Sequence, residues 1–303
     1  MRLKTEHEQR VNIENMNQQK INFFTYISHD LKTPLTLILS PLQRLIQQPQ
    51  ISNNDKEKLE VIYRNANRMN YLINELLTFS KIEMKQMRIS VRKGDIMHFL
   101  EELSHIFDIV AGEREIDFIV NLEDTEEEVW FSPSKLERIL YNLLSNAFKY
   151  TQPGGYVKLS AKLIKEEKGT FVQISVKDNG RGIPKEAQEQ IFESYYQVEK
   201  RDHREGFGLG LSLTRSLIHM HKGEIRVESE INKGSDFIVT LNVSEDAYNP
   251  DERSSENITT EEIQKYNQRI KETIELIPEK LTNKEKDPAP GIYYDCGGQQ
   301  RNE

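Results

Sequence analysis

Residues 140–151 read LYNLLSNAFKYT, and this stretch decides how the second half of the chain folds. On a helix, Asn142, Asn146 and Lys149 recur at steps of four and three and share one face, while the opposite face is apolar. Asparagine favours caps and turns, so two of them inside a helix indicate a function. Two carboxamides and an ammonium group suit Mg²⁺ and phosphate, because they add no negative charge. The alternative is a solvated polar face.

Helices and short strand-like runs surround this stretch. A helix is predicted over Pro133–Lys149, with Ser132 as its N-cap, and another over Leu209–His221. An earlier helical pattern covers Ile96–Val110. The mixture predicts an α/β sandwich over residues 91–244, with one open sheet covered by helices. Its predicted strands are Ile116–Val120, Val129–Phe131, Tyr156–Leu163, Phe171–Val176, Glu224–Val227 and Asp236–Val243.

Two glycine-containing segments lie among these elements. The first, residues 178–184, follows a strand, and a buried Asp178 carboxylate could accept a hydrogen bond from an adenine amino group. In the second, Gly206, Gly208 and Gly210 alternate before a helix, which makes a backbone nest for phosphate. The charged residues 199–205 between them suit a mobile lid over a nucleotide. Each segment alone also fits an ordinary turn.

The chain before Gly94 contains no glycine and carries two heptad-like stripes, which predicts a helical hairpin over residues 19–88. Ser52 or Asn53 is the candidate N-cap of its second helix. Two helices that pack together cover only one face of each other and leave apolar surface exposed. A dimer that forms a four-helix bundle would bury this surface. Residues 1–18 fit either an incoming coiled-coil helix or a frayed polar terminus. The stripes are Phe24, Ser28, Leu31, Leu35, Ile38, Leu42 and Leu45, then Leu59, Ile62, Ala66, Met69, Ile73, Leu76 and Ser80.

The first helix of the hairpin carries a histidine at the edge of its stripe. Beside His29, the carboxylate of Asp30 can bond one ring nitrogen, which fixes the tautomer and makes the other nitrogen a better nucleophile. Thr33 lies one turn further along the same face, where its hydroxyl can orient a water. Pro34 and Pro41 predict a bend in this helix, and we expect the bend to help His29 meet the second domain.

Residues 245–303 form a predicted acidic tail, with fourteen acidic and eight basic side chains. One amphipathic helix is expected there, at about residues 260–281. Its apolar stripe either docks on another surface or belongs to a flexible linker, and both alternatives stay open. The stripe consists of Ile263, Tyr266, Ile270, Ile274, Ile277 and Leu281.

The composition excludes several classes of protein. The net charge is −8, from 41 basic and 49 acidic residues, which argues against a nucleic-acid binder. No apolar run approaches the ~18 residues that cross a bilayer. A single cysteine, Cys296, excludes an intrachain disulfide framework and a Cys-rich metal site. We therefore expect a cytoplasmic chain, or the cytoplasmic part of an inner-membrane sensor.

Taken in order, these blocks resemble those of a sensor histidine kinase of the two-component type. The longer sequences around the blocks are similar to those of hybrid sensor kinases. The matching blocks lie at residues 23–36, 142–151, 178–184, 191–196 and 205–213, with a short match at 233–237. The resemblance implies a dimerisation and histidine-phosphotransfer hairpin. An ATP-binding α/β sandwich of the histidine kinase, gyrase and heat-shock ATPase type would follow it.

The implied activity is autophosphorylation of His29 by ATP and relay to an aspartate of a response-regulator receiver domain, together with phosphatase activity. Asp30 would be the acid/base partner of His29, and Thr33 would assist dephosphorylation of the regulator. Asn146, with Asn142, would hold Mg²⁺ on the phosphates, and Asp178 would recognise adenine. The other implied ATP-binding residues are Lys149, Tyr150, Gly180, Gly182, Ile183, Arg201, Arg204, Gly206, Gly208, Leu209 and Gly210.

Two departures from the family pattern are visible. Many relatives place an aspartate where Ser132 stands, and we expect the serine to cap the helix in its place. The chain also shows no sensor segment, membrane span or receiver domain, so it is either part of a larger protein or an unusually minimal one.

Two other functions stay in view. A gyrase-type or heat-shock-type ATPase would carry a glutamate base where Asn142 stands, and an asparagine cannot take a proton from water. Glu137 is near in sequence but is expected to be solvated. The third possibility, a non-enzymatic dimeric scaffold with a degenerate ATP site, is disfavoured because no key position is eroded.

Overall fold

The fold was analysed in a computed structural model, which describes residues 31–46, 48, 51–84, 86–196 and 208–274. Side chains are described as far as Lys271. None of the helices within these ranges is both long and apolar enough to span a membrane.

Two helices form the predicted hairpin: α1, described over residues 31–46, and α2 (Asn53–Glu83). Of the two candidate caps, Ser52 is the one used, because its Oγ accepts a hydrogen bond from the Asp55 amide at 3.2 Å. Helix α1 continues through both of its prolines. Leu35 of α1 packs with Ala66 and Ile73 of α2, whereas other stripe residues stay exposed, among them Leu31, Ile38, Leu45, Ile62 and Met69.

The second domain is built on a five-stranded sheet in the order β2-β4-β5-β7-β6. β2 (Asp117–Leu122) runs parallel to β4 (Tyr156–Glu166). The other pairs are antiparallel and join β4 to β5 (Gly169–Asp178), β5 to β7 (Gly234–Asn242), and β7 to β6 (Glu224–Glu230). Each predicted strand is present, with its ends shifted by a few residues. Alternate side chains of β4 and β5 are buried, so one face of the sheet carries the core.

Four helices pack on this face: α3 (Ile96–Ser104), α4 (Ile106–Arg114), α5 (Pro133–Tyr150) and α6 (Gly210–Met220). Their apolar side chains form one core with the sheet, so the predicted helical hairpin followed by an α/β sandwich is confirmed.

The helical pattern over Ile96–Val110 is present as two helices, α3 and α4, which are separated at His105. The Ser104 hydroxyl and the His105 amide both donate to the Glu101 carbonyl, at 2.7 Å and 3.3 Å. A side chain that bonds to the backbone in this way competes with the regular helical ladder.

A small two-stranded sheet and two further backbone hydrogen bonds anchor the beginning of this domain. β1 (Arg92–Asp95), which was not predicted, pairs antiparallel with β3 (Glu128–Phe131). Just before β1, the Val91 amide donates to the Glu252 carbonyl at 2.8 Å, and the Ser254 amide donates to the Val91 carbonyl at 2.9 Å. The segment before β1 is therefore joined by backbone hydrogen bonds to the segment that lies between β7 and the last helix.

The predicted tail helix is present as α7 (Thr260–Ile274), and it docks. Its residues Ile263, Tyr266 and Ile270 are buried in the main core, where the Tyr266 ring meets Phe99 edge-to-face. Arg92 of β1 also pairs with Glu262 of α7, with 2.7 Å from Nη1 to Oε2. The docking alternative is therefore correct for the described helix, and the predicted continuation beyond residue 274 lies outside the described residues.

Candidate functional site

The predicted phosphoacceptor segment is only partly described. His29 and Asp30 lie outside the described residues. Thr33, the third predicted member, is exposed near the beginning of the described part of α1.

Helix α5 begins at the predicted position but without the predicted side-chain cap. Ser132 occupies the N-cap position and Pro133 follows it, yet the serine hydroxyl makes no capping hydrogen bond. The expectation that the serine side chain caps the helix is therefore wrong. Instead, the Ser132 amide donates to His221 Nε2 at 3.2 Å. Burial lowers the pKa of His221 to about 4, so the ring is neutral and can accept this bond.

Asn142 links α5 to the first turn of α6. It is 4% exposed. Its Nδ2 donates to the Gly210 carbonyl at 3.2 Å and to Thr214 Oγ1 at 3.1 Å, while its Oδ1 accepts from the Tyr71 hydroxyl at 3.1 Å. The carboxamide therefore has a protein partner on every side, and it fixes the beginning of α6 against α5.

The other polar residues of this face lie further along α5. Asn146 is half-buried, as are Lys149 and Tyr150 at the helix end. The Lys149 ammonium lies 4.8 Å from the centre of the Tyr150 ring, and the Arg181 guanidinium lies 4.4 Å from it. Cations over an aromatic face are attracted by its quadrupole. Tyr150 thereby holds two positive groups at the place where α5 meets the first glycine segment.

Asp178 ends β5 as a buried carboxylate. Its Oδ1 accepts from the Gly180 amide at 2.8 Å. Burial raises its pKa to about 6, against the opposing hydrogen bonds from the Gly180 and Ser235 amides. A buried carboxylate of this kind has a strong preference for a hydrogen-bond donor, and the amino group of adenine is one.

The loop after Asp178 has no room for side chains at two of its glycines. A Cβ on Gly180 would lie 2.4 Å from the Tyr150 carbonyl oxygen. Gly182 has a φ of +69°, and a Cβ there would lie 2.0 Å from the Glu230 carbonyl oxygen. Ile183 follows, partly buried, with its amide donating to Ser229 Oγ at 2.8 Å. The loop is thus pressed between α5 and the end of β6.

The second glycine segment is described from Gly208 onward. Gly208 has a φ of +70°, and its carbonyl accepts from the Tyr195 amide at 3.0 Å. Leu209 is buried, and Gly210 begins α6. Arg201, Arg204 and Gly206, which were also predicted to bind phosphate, lie outside the described residues.

The structure therefore brings the predicted residues together through α5. Asn142 meets Gly210 near the middle of that helix, and Tyr150 meets Gly180 at its end. Arg181, Thr214 and the α2 residues that contact this region were not predicted from the sequence. Tyr71 and Glu75 lie off the apolar stripe of α2, so no periodicity singled them out.

The prediction that Glu137 is solvated is wrong. The residue is partly buried, and desolvation raises its pKa to about 7, although the positive charges of Arg269 and Arg138 oppose this. Arg269 belongs to α7, and the sequence did not indicate that this helix docks near α5.

Comparison with known domain families gives two matches. Residues 19–85 match the His Kinase A (phospho-acceptor) domain, and residues 132–245 match the histidine kinase-, DNA gyrase B- and HSP90-like ATPase.

Similar full-length proteins include histidine kinase P4 of Formosa agariphila, which is 35% identical over 90% of this chain and 20% of its own length. Sensor histidine kinase WalK of Bacillus subtilis is 33% identical over 77% of the chain and 38% of its own length. The chain thus spans less than two fifths of either relative. Among solved structures, full-length ShkA in complex with AMPPNP gives a TM-score of 0.62 at 25% identity, over 73% of this chain and 45% of that one.

Proposed function

The chain carries the catalytic core of a two-component sensor histidine kinase, and from this premise we propose that it transfers the terminal phosphate of ATP to His29. The observation that carries the proposal is the buried Asp178 carboxylate at the end of β5, beside the tight loop of Gly180 and Gly182. The carboxylate can accept a hydrogen bond from the base of ATP, and the glycines allow the backbone to approach a flat ligand.

The residues of α5 and α6 fit the phosphates of the nucleotide. Asn146 is half-buried, and its side-chain amide oxygen would suit a Mg²⁺ ion that is held mainly by phosphate oxygens. When bound, Mg²⁺ would neutralise charge on the phosphates. Lys149 would add positive charge at the end of α5, and the backbone of Gly208, Leu209 and Gly210 would receive phosphate at the beginning of α6.

Within this scheme, a ring nitrogen of His29 attacks the terminal phosphorus and the bond to the bridging oxygen of ADP breaks. Asp30 accepts a hydrogen bond from the other ring nitrogen and stabilises the positive charge that develops on the ring. The phosphoryl group then passes to an aspartate of a receiver domain, and Thr33 orients the water that later removes it. We further propose that this reaction takes place in the cytoplasm, where ATP is supplied.

We also propose that the hairpin works as a homodimer. Its exposed stripe residues Ile38 and Leu45 on α1, and Ile62 and Met69 on α2, leave apolar surface that one hairpin cannot cover. A second copy of the same hairpin, in a four-helix bundle, would bury it.

The test is incubation of the protein with Mg²⁺ and ATP labelled on the terminal phosphate, beside a His29→Gln variant, with nucleotide binding measured in parallel. We expect label that is acid-labile and alkali-stable in the protein and absent from the variant. Phosphate release without protein labelling would favour the ATPase alternative. Absence of both binding and label would contradict the kinase and leave the dimeric scaffold.

A further inference from the structure

A tyrosine of the hairpin reaches into the predicted phosphate-binding face of α5. The Tyr71 hydroxyl lies 3.1 Å from Asn142 Oδ1 and 2.9 Å from Glu75 Oε1. The ring of Tyr71 packs edge-to-face on Tyr141, with 6.0 Å between the ring centres. The hydroxyl is thus held in place by groups from both domains.

The oxygen of Asn142 consequently faces the hairpin. Its amide nitrogen is used by Gly210 and Thr214, so the carboxamide cannot turn over without losing those bonds. Mg²⁺ in proteins usually keeps several of its waters. Because the Asn142 side chain is only 4% exposed and lies under α2, its oxygen is not accessible to a hydrated Mg²⁺ ion.

We propose that Tyr71 is a positioning residue that holds the Asn142 oxygen against α2, so that docking of the hairpin competes with binding of Mg²⁺-nucleotide. The proposal rests on the proposed function, and it adds to it the expectation from the sequence that Asn142 holds Mg²⁺ together with Asn146. The Tyr71 hydroxyl thereby couples the position of the hairpin to the affinity of the second domain for nucleotide.

The rest of the same contact supports the competition. Glu75 is 5% exposed, and its Oε1 lies 3.9 Å from the place of a Cβ on Gly210. The docked hairpin therefore puts a buried carboxyl group, whose pKa burial raises, beside the segment predicted to receive phosphate, so that the two groups would occupy neighbouring space. Arg138 Nη1 also donates to Thr78 Oγ1 at 2.8 Å, which fixes α2 on α5 at a second point.

The test is a Tyr71→Phe variant of the full chain, compared with wild type by calorimetric titration of ADP with and without Mg²⁺. Phenylalanine keeps the ring and removes only the hydroxyl. Loss of one hydrogen bond from the docked arrangement is expected to tighten binding of Mg²⁺-ADP roughly 2- to 12-fold. We expect a smaller change without Mg²⁺, since the metal is the group that competes for Asn142. The matched control is Tyr266→Phe, which removes a hydroxyl 3.1 Å from Glu262 on α7 and should leave both affinities unchanged.

Amide hydrogen exchange provides a readout separate from binding and catalysis. Saturating Mg²⁺-ADP should speed exchange in residues 71–79 of wild-type α2, because the nucleotide displaces the hairpin. Equal affinities in wild type and Tyr71→Phe, with no change of exchange in α2, would overturn the inference and leave the proposed function standing. Absence of nucleotide binding in both proteins would overturn both.

Discussion

Replacing Ile270 with alanine should release the tail helix from the second domain. Ile270 is 1% exposed and lies in the main core. Truncating a buried isoleucine to alanine costs about 2–4 kcal/mol, from lost burial and from the cavity that remains. The cost falls on α7 itself, since the helix can leave the core while the sheet stays folded.

This loss of stability predicts how much faster the amide hydrogens of α7 exchange with solvent. If α7 opens and closes faster than its amides exchange, a cost of about 2 kcal/mol speeds exchange roughly 30-fold. Amide exchange read by mass spectrometry on peptides from residues 260–271 should therefore accelerate at least that much, while peptides from β4 and β5 keep wild-type rates. Gln264→Ala is the matched control, because Gln264 is exposed on the same helix and its replacement should change exchange little.

The docking of α7 would be refuted by either of two results. Amides of residues 260–271 in wild type could exchange as fast as those of an unstructured peptide, which would restore the linker alternative. Alternatively, Ile270→Ala and Gln264→Ala could exchange at the same rate, which would show that the buried stripe contributes nothing to holding the helix.

Two further predictions concern carboxyl groups. Asp178→Asn should weaken ATP binding at least tenfold by calorimetry, because a charged acceptor is lost from a buried site. Asp236→Asn, which alters the bond that Asp236 on β7 accepts from Ser175 on β5 and removes a charge that raises the pKa of Asp178, should not weaken binding; equal affinities in the two variants would contradict the role of Asp178. Glu137→Gln should raise the melting temperature more at pH 8 than at pH 5. The folded pKa of about 7 exceeds the usual value of 4.5, so wild type loses stability as pH rises between these two values, and a gain independent of pH would contradict this.

Local patterns of sequence were sufficient for much of the fold. The strands of the sheet follow from period-two alternation and turn residues, and α5 follows from its apolar face and from Pro133. β1 was not predicted because its four residues, Arg92–Asp95, contain no apolar side chain, and the strand exists only through its pairing with β3. The interruption at His105 coincides with a hydrogen bond from the Ser104 hydroxyl to the Glu101 carbonyl, which periodicity cannot show.

The candidate site was predictable in its residue types and less so in its geometry. The segments around Asn142 and Asp178 were identified because their residues are unusual for a helix interior and a strand end. The partners of Asn142 come from α2 and α6, some seventy residues away in either direction, and no local pattern encodes such contacts. A buried glutamate such as Glu75 likewise leaves no trace in sequence, because burial is a property of the packed domains.

The backbone hydrogen bonds of Val91 with Glu252 and Ser254 determine how tension along the chain would reach the ATP-binding domain. Because α7 follows this segment and packs on both α5 and α2, a pull between the hairpin and the residues after α7 would act on the docked helix as well as on the two backbone hydrogen bonds of Val91. A change in the position of the hairpin would therefore act first on α7 and on the contacts of α2 with α5, and only through them on the five-stranded sheet.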